Sequence, residues 1–360
     1  MEEQPASHVR GAEVIVPCTD LDAAMERLEP LGFRLESVFP ADEPAVAVVA
    51  GHGLRLRLDR GAATPAPVVR LLCREPQTTL AGARALTLPG GARLELVAEN
   101  EEFELPPPAP SYTVSHARGA AAWRDGRAGM LYRDLIPDRQ GGRFIASHIR
   151  VPDGGPVPDY VHYHLIVFQL IYCHRGWVRV VYEDQGEPFV MEPGDCVLQP
   201  PRIRHRVLEC SPGLEVLELT SPARHETRAE HEMVLPLMPR TNLPARSPRS
   251  YDGQRFLWHR AADARWEPAA HAGWQARDLG IAAATAGLAG AHVLRPTAAG
   301  ARLTHRHGGE LLWGCILRGA ATLDGEHRLE EADAFTVPAG RSFELADATA
   351  DLEWLLVAVP

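Results

Sequence analysis

Three histidines and a glutamine near the middle of the chain have the types and spacing of metal ligands. His162 and His164 are two positions apart, Gln169 follows, and His205 lies further along the chain. Side chains two positions apart on a β-strand point to the same face, so both imidazoles can enter a barrel interior together. Imidazole ligands suit Fe(II), and they discriminate poorly between it and Mn, Ni, Cu or Zn. We therefore predict that these four residues hold a divalent transition metal, with Fe(II) as the first candidate.

The positions around these residues resemble the two motifs of the cupin family. The first family motif reads His-x-His, three or four residues, Glu, six residues and Gly, and the second reads Gly, five residues and Pro-x-Gly-x-x-His. The matching positions in this chain are His162, His164, Gln169, Gly176, Gly194, Pro200 and His205. The resemblance covers residues 119–232 and, more weakly, residues 256–360. It implies two jelly-roll barrels in tandem, with a metal site in the first.

Two residues depart from the family pattern. Gln169 stands where the family usually has Glu, and Arg202 stands where it usually has Gly. A glutamine can still offer its carbonyl oxygen, which would give a wholly neutral ligand set. Such a set leaves the dication uncompensated and favours an activated water or an anionic chelating substrate. Alternatively, Gln169 only forms hydrogen bonds, and the site is a three-histidine site with open positions.

The last third of the chain repeats the middle third. His305-Arg-His307 matches His162-Tyr-His164 at an offset of 143 residues. Such an ordered repeat predicts two domains of one fold. In the second copy, Leu312 and Phe343 occupy the positions of Gln169 and His205. We therefore expect a degenerate second barrel, with His305, His307 and Glu310 as a minor alternative metal site.

The first hundred residues resemble half of a vicinal-oxygen-chelate (glyoxalase-like) unit. The resemblance lies in residues 14–24, in Leu31-Gly32-Phe33 and in residues 89–97. Glu95 falls where that family often keeps a metal-ligating Glu, and Glu13 falls roughly at the place of its first His. Active members usually pair two such modules, so the resemblance implies a structural, dimerising or lid role for one.

Composition shifts divide the chain into domains and linkers. Frequent glycines and prolines, with 31 of each, predict short strands broken by turns. The predicted class is mainly β, with two jelly-roll barrels and a small N-terminal α+β (βαβββ) domain. The predicted boundaries are 1–100 for the glyoxalase-like module, 101–118 for a Pro-rich linker, 119–234 for the first barrel, 235–255 for a second linker and 256–360 for the second barrel.

Further polar residues lie on predicted strands of the first barrel. Tyr163, Gln199, Arg150 and His148 are candidates for binding the substrate. Core packing is the alternative for each of them.

Charge and composition limit the possible partners. A net charge of −10 argues against a general nucleic-acid binder, which needs a basic face. The longest central apolar stretch, residues 165–173, is interrupted by Gln169 and is about half the length of a membrane span. The six cysteines contain no C-x-x-C pair. We therefore expect a cytoplasmic protein with reduced thiols, which forms a homodimer and acts on a small molecule.

The resemblance implies a metal-dependent enzyme. The first hypothesis is an Fe(II) dioxygenase that acts on a small chelating organic substrate. The second is a non-oxidative metal-dependent isomerase, lyase or hydrolase, in which the metal acts as a Lewis acid. The third is a small-molecule-binding protein without turnover.

Overall fold

The chain folds into two compact units in this computed structural model. The structure describes residues 9–29, 32–51, 53–62, 68–79, 83–87, 93–98, 105–118, 123–126, 129–236 and 249–360. The first unit contains residues 1–104 and 226–230, and the second contains residues 105–225 and 231–360. Both predicted barrels therefore lie in one unit. None of the described helices is long and apolar enough to cross a membrane.

The first unit is a small α+β sheet domain. Its strands are Val9–Pro17, Arg34–Phe39, Val46–Gly51, Leu54–Asp59, Val68–Cys73, Ala85–Thr87, Arg93–Ala98 and Thr227–Ala229, and its helices are Leu21–Leu28 and Pro76–Thr79. Asp20 caps the first helix by accepting a hydrogen bond from the Ala23 amide. Leu21 on that helix packs against Val49 and Leu58 of the sheet.

The first barrel is built from two β-sheets. One sheet contains Arg124–Asp125, Leu131–Asp134, Ile145–Val151, Phe168–Arg175, Cys196–Leu198 and Leu214–Ser221. The opposing strands are Gly155–Pro156, His162–His164, Val178–Tyr182, Phe189–Met191 and His205–Cys210. A short 3-10 helix, Arg139–Gly142, precedes the strand Ile145–Val151.

The second barrel repeats this arrangement. Its larger sheet contains Glu267–Pro268, Trp274–Asp278, Gly290–Pro296, Leu311–Arg318, Ala334–Thr336 and Glu353–Val359, and its smaller sheet contains Leu303–Arg306, Ala321–Leu323, His327–Leu329 and Ser342–Ala346. The helix Ile281–Ala284 and the 3-10 helix Ala261–Asp263 complete it, and the hairpin Ser250–Tyr251 and Gln254–Arg255 precedes it. The described structure is thus mainly β, in agreement with the predicted fold class.

The two barrels exchange edge strands. Thr113–Ser115 precedes the first barrel along the chain but pairs with Ala334–Thr336 of the second. Leu257–His259 precedes the second barrel but pairs with Cys196–Leu198 of the first. Part of the predicted linker 101–118 is therefore a strand of the distant barrel.

Among the described residues of the second unit, three apolar clusters form the core, and they show which way the strand side chains in them point. One cluster lies inside each barrel, and the third joins the larger sheets of both barrels. Along the strand Phe168–Arg175, Phe168, Leu170 and Tyr172 belong to the joining cluster, whereas Cys173 lies inside the first barrel. Since strand side chains alternate, Gln169 points into the first barrel.

Candidate metal centre

Three histidines meet inside the first barrel. His162, His164 and His205 each offer one ring nitrogen, and these atoms all lie within 4.8 Å of one another. His162 lies directly opposite His205 on paired antiparallel strands. Their side chains are almost inaccessible to solvent, with 1%, 7% and 6% of the residue surface exposed. The strand spacing noted in the sequence therefore brings three imidazoles to one buried point.

Backbone carbonyls fix the protonation of two of these rings. Nδ1 of His162 lies 2.8 Å from the Tyr160 carbonyl oxygen, and Nδ1 of His205 lies 3.0 Å from that of Ile203. A carbonyl oxygen can only accept, so each Nδ1 donates its proton and each Nε2 keeps a lone pair. This is the tautomer that binds a metal through Nε2. The buried nitrogen donors therefore fit a divalent transition metal.

A buried carboxylate lies behind the first of these rings. Asp159 Oδ1 is 3.5 Å from Nδ1 of His162, and Asp159 Oδ2 accepts a hydrogen bond of 2.9 Å from the Val207 amide. The Val207 bond holds Asp159 in place. Sequence reasoning missed Asp159, although its position three residues before the first histidine is a usable signal.

Gln169 is linked to the His205 ring through two hydrogen bonds and a ring stack. Its Oε1 accepts a hydrogen bond of 2.6 Å from Nε2 of Gln199. Gln199 Oε1 in turn accepts a hydrogen bond of 3.0 Å from the Tyr182 hydroxyl. The Tyr182 ring stacks on His205 with a centroid distance of 5.4 Å. Burial raises the pKa of Tyr182, which keeps this hydroxyl protonated.

Sequence reasoning named Gln199 but missed Tyr182. Tyr182 ends a strand that places Val178 and Val180 in the same interior cluster, so its inward direction follows from alternation. Its identity as the hydrogen-bond partner of Gln199 depends on tertiary packing.

A fourth histidine packs against the cluster. His225 is buried, and its ring is perpendicular to that of His164 with a centroid distance of 5.5 Å. Nδ1 of His225 lies 3.1 Å from the Pro222 carbonyl oxygen. His225 lies outside the three-residue group whose ligand atoms converge. Sequence reasoning missed it because neither family motif includes this position.

The structure places Tyr163 away from the three histidines. It lies between His162 and His164 on one strand, so its side chain points to the opposite face. There its ring packs under the Arg204 guanidinium, 4.5 Å from the ring centroid.

His148 and Arg150 also lie on the wrong face for the metal. Ala146, two positions before His148, belongs to the cluster that joins the barrels, whereas Ile149 lies inside the first barrel. By alternation, His148 and Arg150 point out of the barrel interior. Their side chains therefore point away from the three histidines, and a role for them in substrate binding stays a prediction.

These two residues form a buried ionic network instead. Glu215 accepts hydrogen bonds of 2.8 Å from Nε2 of His148 and 2.6 Å from Arg150. Nδ1 of His148 lies 3.1 Å from the buried Arg133 guanidinium. Burial lowers the pKa of His148 despite its bond to Glu215. Burial also opposes ionisation of Glu215, but the bonds from His148 and Arg150 prevail and lower its pKa to about 2.

His174 adds a buried histidine to this network. Its ring is perpendicular to that of His148, with a centroid distance of 6.0 Å. Its Nε2 lies 3.1 Å from Glu331 Oε1 but lacks the direction of a hydrogen bond. Burial and the neighbouring His148 lower the pKa of His174 to about 4.

The residues of the minor metal hypothesis do not converge in the second barrel. Nε2 of His307 lies 2.6 Å from the Val337 carbonyl oxygen, and Glu310 is ion-paired with Arg143. His305 packs edge-on against Phe343. Among the described residues, the three histidines of the first barrel are the group with metal-ligand spacing. The minor hypothesis is therefore not supported.

The two glutamates noted in the N-terminal unit are engaged with arginine. Glu13 is buried and accepts a hydrogen bond of 2.9 Å from Arg70. Arg70 is the cross-strand neighbour of both Glu13 and Glu95. Arg70 therefore lies between Glu13 and Glu95 across three neighbouring strands, and the role of this module stays a prediction.

The chain resembles several solved structures only distantly. No family model and no curated protein matches it. A deletion mutant of Bacillus subtilis oxalate decarboxylase is 15% identical, with 73% of this chain and 80% of that chain covered and a TM-score of 0.49. The same enzyme at pH 4.6 is 14% identical, with 73% and 79% covered and a TM-score of 0.48. A third structure of it, described for its Mn(II) centres, is 14% identical, with 73% and 80% covered and a TM-score of 0.49. At such identity and TM-score, these likenesses carry no argument about function.

Proposed function

We propose that this protein is a metal-dependent enzyme of the cupin type, and more specifically an Fe(II) dioxygenase that acts on a small chelating organic substrate. The observation that carries the proposal is the convergence of three buried histidine nitrogens within 4.8 Å. Three imidazole ligands leave further coordination positions open for a substrate and O₂. As alternatives to Fe(II), Mn, Ni, Cu or Zn fit the same ligands.

The side chains of this site have distinct tasks in the proposal. His162, His164 and His205 hold the ion, and the carbonyls of Tyr160 and Ile203 keep two of the rings in the ligating tautomer. When bound, the metal would supply Lewis acidity and, as iron, redox chemistry. The apolar barrel interior excludes water, which strengthens electrostatic contacts with the substrate.

A second candidate is a non-oxidative isomerase, lyase or hydrolase. The observation that favours it is the neutral ligand set, because the converging group contains histidines and no carboxylate. A dication without a compensating charge is a strong Lewis acid and needs no redox change.

Metal analysis tests the proposal directly. Protein purified without an affinity tag is analysed by mass spectrometry, with anaerobic Fe(II) reconstitution in parallel. About one iron per chain and substrate-dependent O₂ uptake from a catechol or diketone panel would support the dioxygenase. Zinc or manganese at the same stoichiometry, with turnover but without O₂ uptake, would support the second candidate. A metal-free, inactive protein that binds small molecules would contradict both.

The remaining features of the proposal concern the whole chain. The N-terminal unit is a single glyoxalase-like module with a structural, dimerising or lid role, and the protein is a cytoplasmic homodimer. Its partner is a small molecule rather than a nucleic acid or a membrane. Light scattering after size exclusion tests the dimer, since a monomeric mass would rule it out.

A further inference from the structure

A chain of three buried polar side chains starts beside the metal centre. Tyr182 stacks on His205, donates to Gln199, and Gln199 donates to Gln169. Tyr182, Gln199 and Gln169 are all buried, and all three belong to the interior side of the first barrel. Each of these hydrogen bonds has a donor and an acceptor. Their order determines whether Gln169 uses its amide oxygen or its amide nitrogen to bind Gln199.

The Tyr182 hydroxyl sets this direction. A neutral phenol has one hydrogen to donate, and the Tyr182 ring is surrounded by Phe189, Phe256 and the face of His205. Among the described residues, this hydroxyl donates its hydrogen bond to Gln199. If both carboxamides were reversed, the buried hydroxyl hydrogen would lose its acceptor, which is unfavourable.

These two hydrogen bonds therefore fix the orientation of the side-chain amides of both glutamines. Gln199 uses its carbonyl oxygen to accept from Tyr182, and its amide nitrogen donates to Oε1 of Gln169 at 2.6 Å. The carbonyl oxygen of Gln169 thus accepts a hydrogen bond, which uses one of its two lone pairs, and its amide nitrogen keeps both hydrogens to donate. An N–H group is a donor and cannot ligate a cation.

We propose that Gln169 is not a metal ligand but directs an N–H at an anionic oxygen of the substrate held at the three histidines. The substrate is therefore a small organic oxygen anion, such as a carboxylate, an enolate or a catecholate. A neutral ligand set leaves the charge of the dication for this anion to balance, and the amide adds a charge-assisted hydrogen bond. The inference rests on the proposed metal site and adds the chemical class of its ligand.

The test separates metal binding from anion binding. Co(II) is loaded into the protein, and its visible spectrum reports two probes: acetohydroxamate, an anionic oxygen chelator, and imidazole, a neutral ligand with no lone pair left once it binds. In Gln169→Leu, we expect Co(II) affinity within a few-fold of the wild type and acetohydroxamate affinity lower by about tenfold or more. Imidazole affinity should change less than twofold.

Further variants test the direction of the hydrogen bonds from Tyr182 to Gln169. Tyr182→Phe keeps the ring stack but frees Gln199 to reverse, so acetohydroxamate affinity should fall while Co(II) affinity stays. Gln169→Glu replaces a donor with an anion, so Co(II) should bind more tightly and acetohydroxamate more weakly. Gln275→Leu, the same type of change in the second barrel, should alter neither.

Two outcomes are decisive and distinguishable. If Gln169→Leu weakens Co(II) binding as much as acetohydroxamate binding, Gln169 ligates through oxygen and the inference is overturned. If His162→Ala binds Co(II) as the wild type does, the metal site itself is wrong, and the proposed function fails with it.

Discussion

The protonation of single imidazole nitrogens determines whether this site can bind a metal. In two of the three rings the Nδ1–H donates to a backbone carbonyl, so each Nε2 keeps the lone pair that a metal ligand needs. The second barrel has an His-x-His pair too, but Nε2 of His307 is engaged by the Val337 carbonyl. The His-x-His pairs of the two barrels therefore differ in their ability to bind a metal.

Single histidine substitutions should show that the first barrel binds the metal and the second does not. We expect His162→Ala or His205→Ala to remove most of the bound metal, because each deletes one of three converging ligands. His305→Ala should leave the metal content unchanged. Mass spectrometry of the purified variants measures this, and equal metal loss from His305→Ala would contradict a degenerate second barrel.

The carboxylate behind His162 should tune metal affinity. Asp159→Asn keeps the side-chain shape but removes the charge 3.5 Å from Nδ1 of His162. Because such outer carboxylates raise the basicity of the ligand, metal affinity should fall about 10- to 100-fold. Competition with a chelator measures the affinity. Asp324→Asn in the second barrel is the matched control, and an equal loss there would exclude a local effect.

At the scale of elements, the exchanged edge strands are locked by two equivalent aspartates. Asp195 of the first barrel accepts hydrogen bonds from the Ala261 amide at 2.8 Å and from the Trp258 indole at 3.3 Å. Asp333 of the second barrel accepts from the Ala117 amide at 2.6 Å and lies 3.0 Å from Nδ1 of His116. Each aspartate thus fastens the segment that enters from the other half.

Removing either aspartate should destabilise the second unit. Asp195→Ala and Asp333→Ala each leave several partly buried donors without their acceptor, so each should lower the free energy of unfolding by about 2 kcal/mol. Urea denaturation followed by tryptophan fluorescence measures the change. Asp263→Ala, an exposed aspartate in the same region, should change it by less than about 0.5 kcal/mol. A small effect at Asp195 would mean that the exchange is held by packing alone.

At the scale of the whole molecule, a buried ionic network lies on the outer face of the first barrel. It contains Glu215, His148, Arg150 and Arg133, and His174 packs beside it. The folded-state pKa values of His148, His174 and Glu215 are all below their ordinary values. The unfolded chain therefore binds more protons than the folded one at acidic pH.

Acid should destabilise the protein in a defined window. The contribution of His174 is fully present above pH 6.5 and is lost as the pH falls toward 4, and that of Glu215 is lost from pH 4.5 toward 2. From pH 7 to pH 4.5, we expect His174 alone to cost about 2–3 kcal/mol. Urea denaturation at both pH values measures this. His174→Gln should reduce the difference, whereas His292→Gln in the second barrel should not, and an unchanged difference in His174→Gln would refute the assignment.

The sequence alone placed His162 and His164 on one face, because strand alternation is local, and the resemblance to the second family motif added His205. It also predicted the mainly β class. It could not place His148 and Arg150, because the strand Ile145–Val151 is buried on both faces and shows no polar alternation. Only the tertiary structure decided which face meets the other barrel.

The partners of Gln169 were equally beyond the sequence. Tyr182 and Gln169 lie on two different strands and Gln199 directly follows a third, and their hydrogen bonds exist only once the barrel has closed. The edge-strand exchange likewise depends on how the two barrels pack. Spacing along one strand fixes which side chains share a face, whereas packing between strands fixes which groups meet and in which direction each hydrogen bond runs.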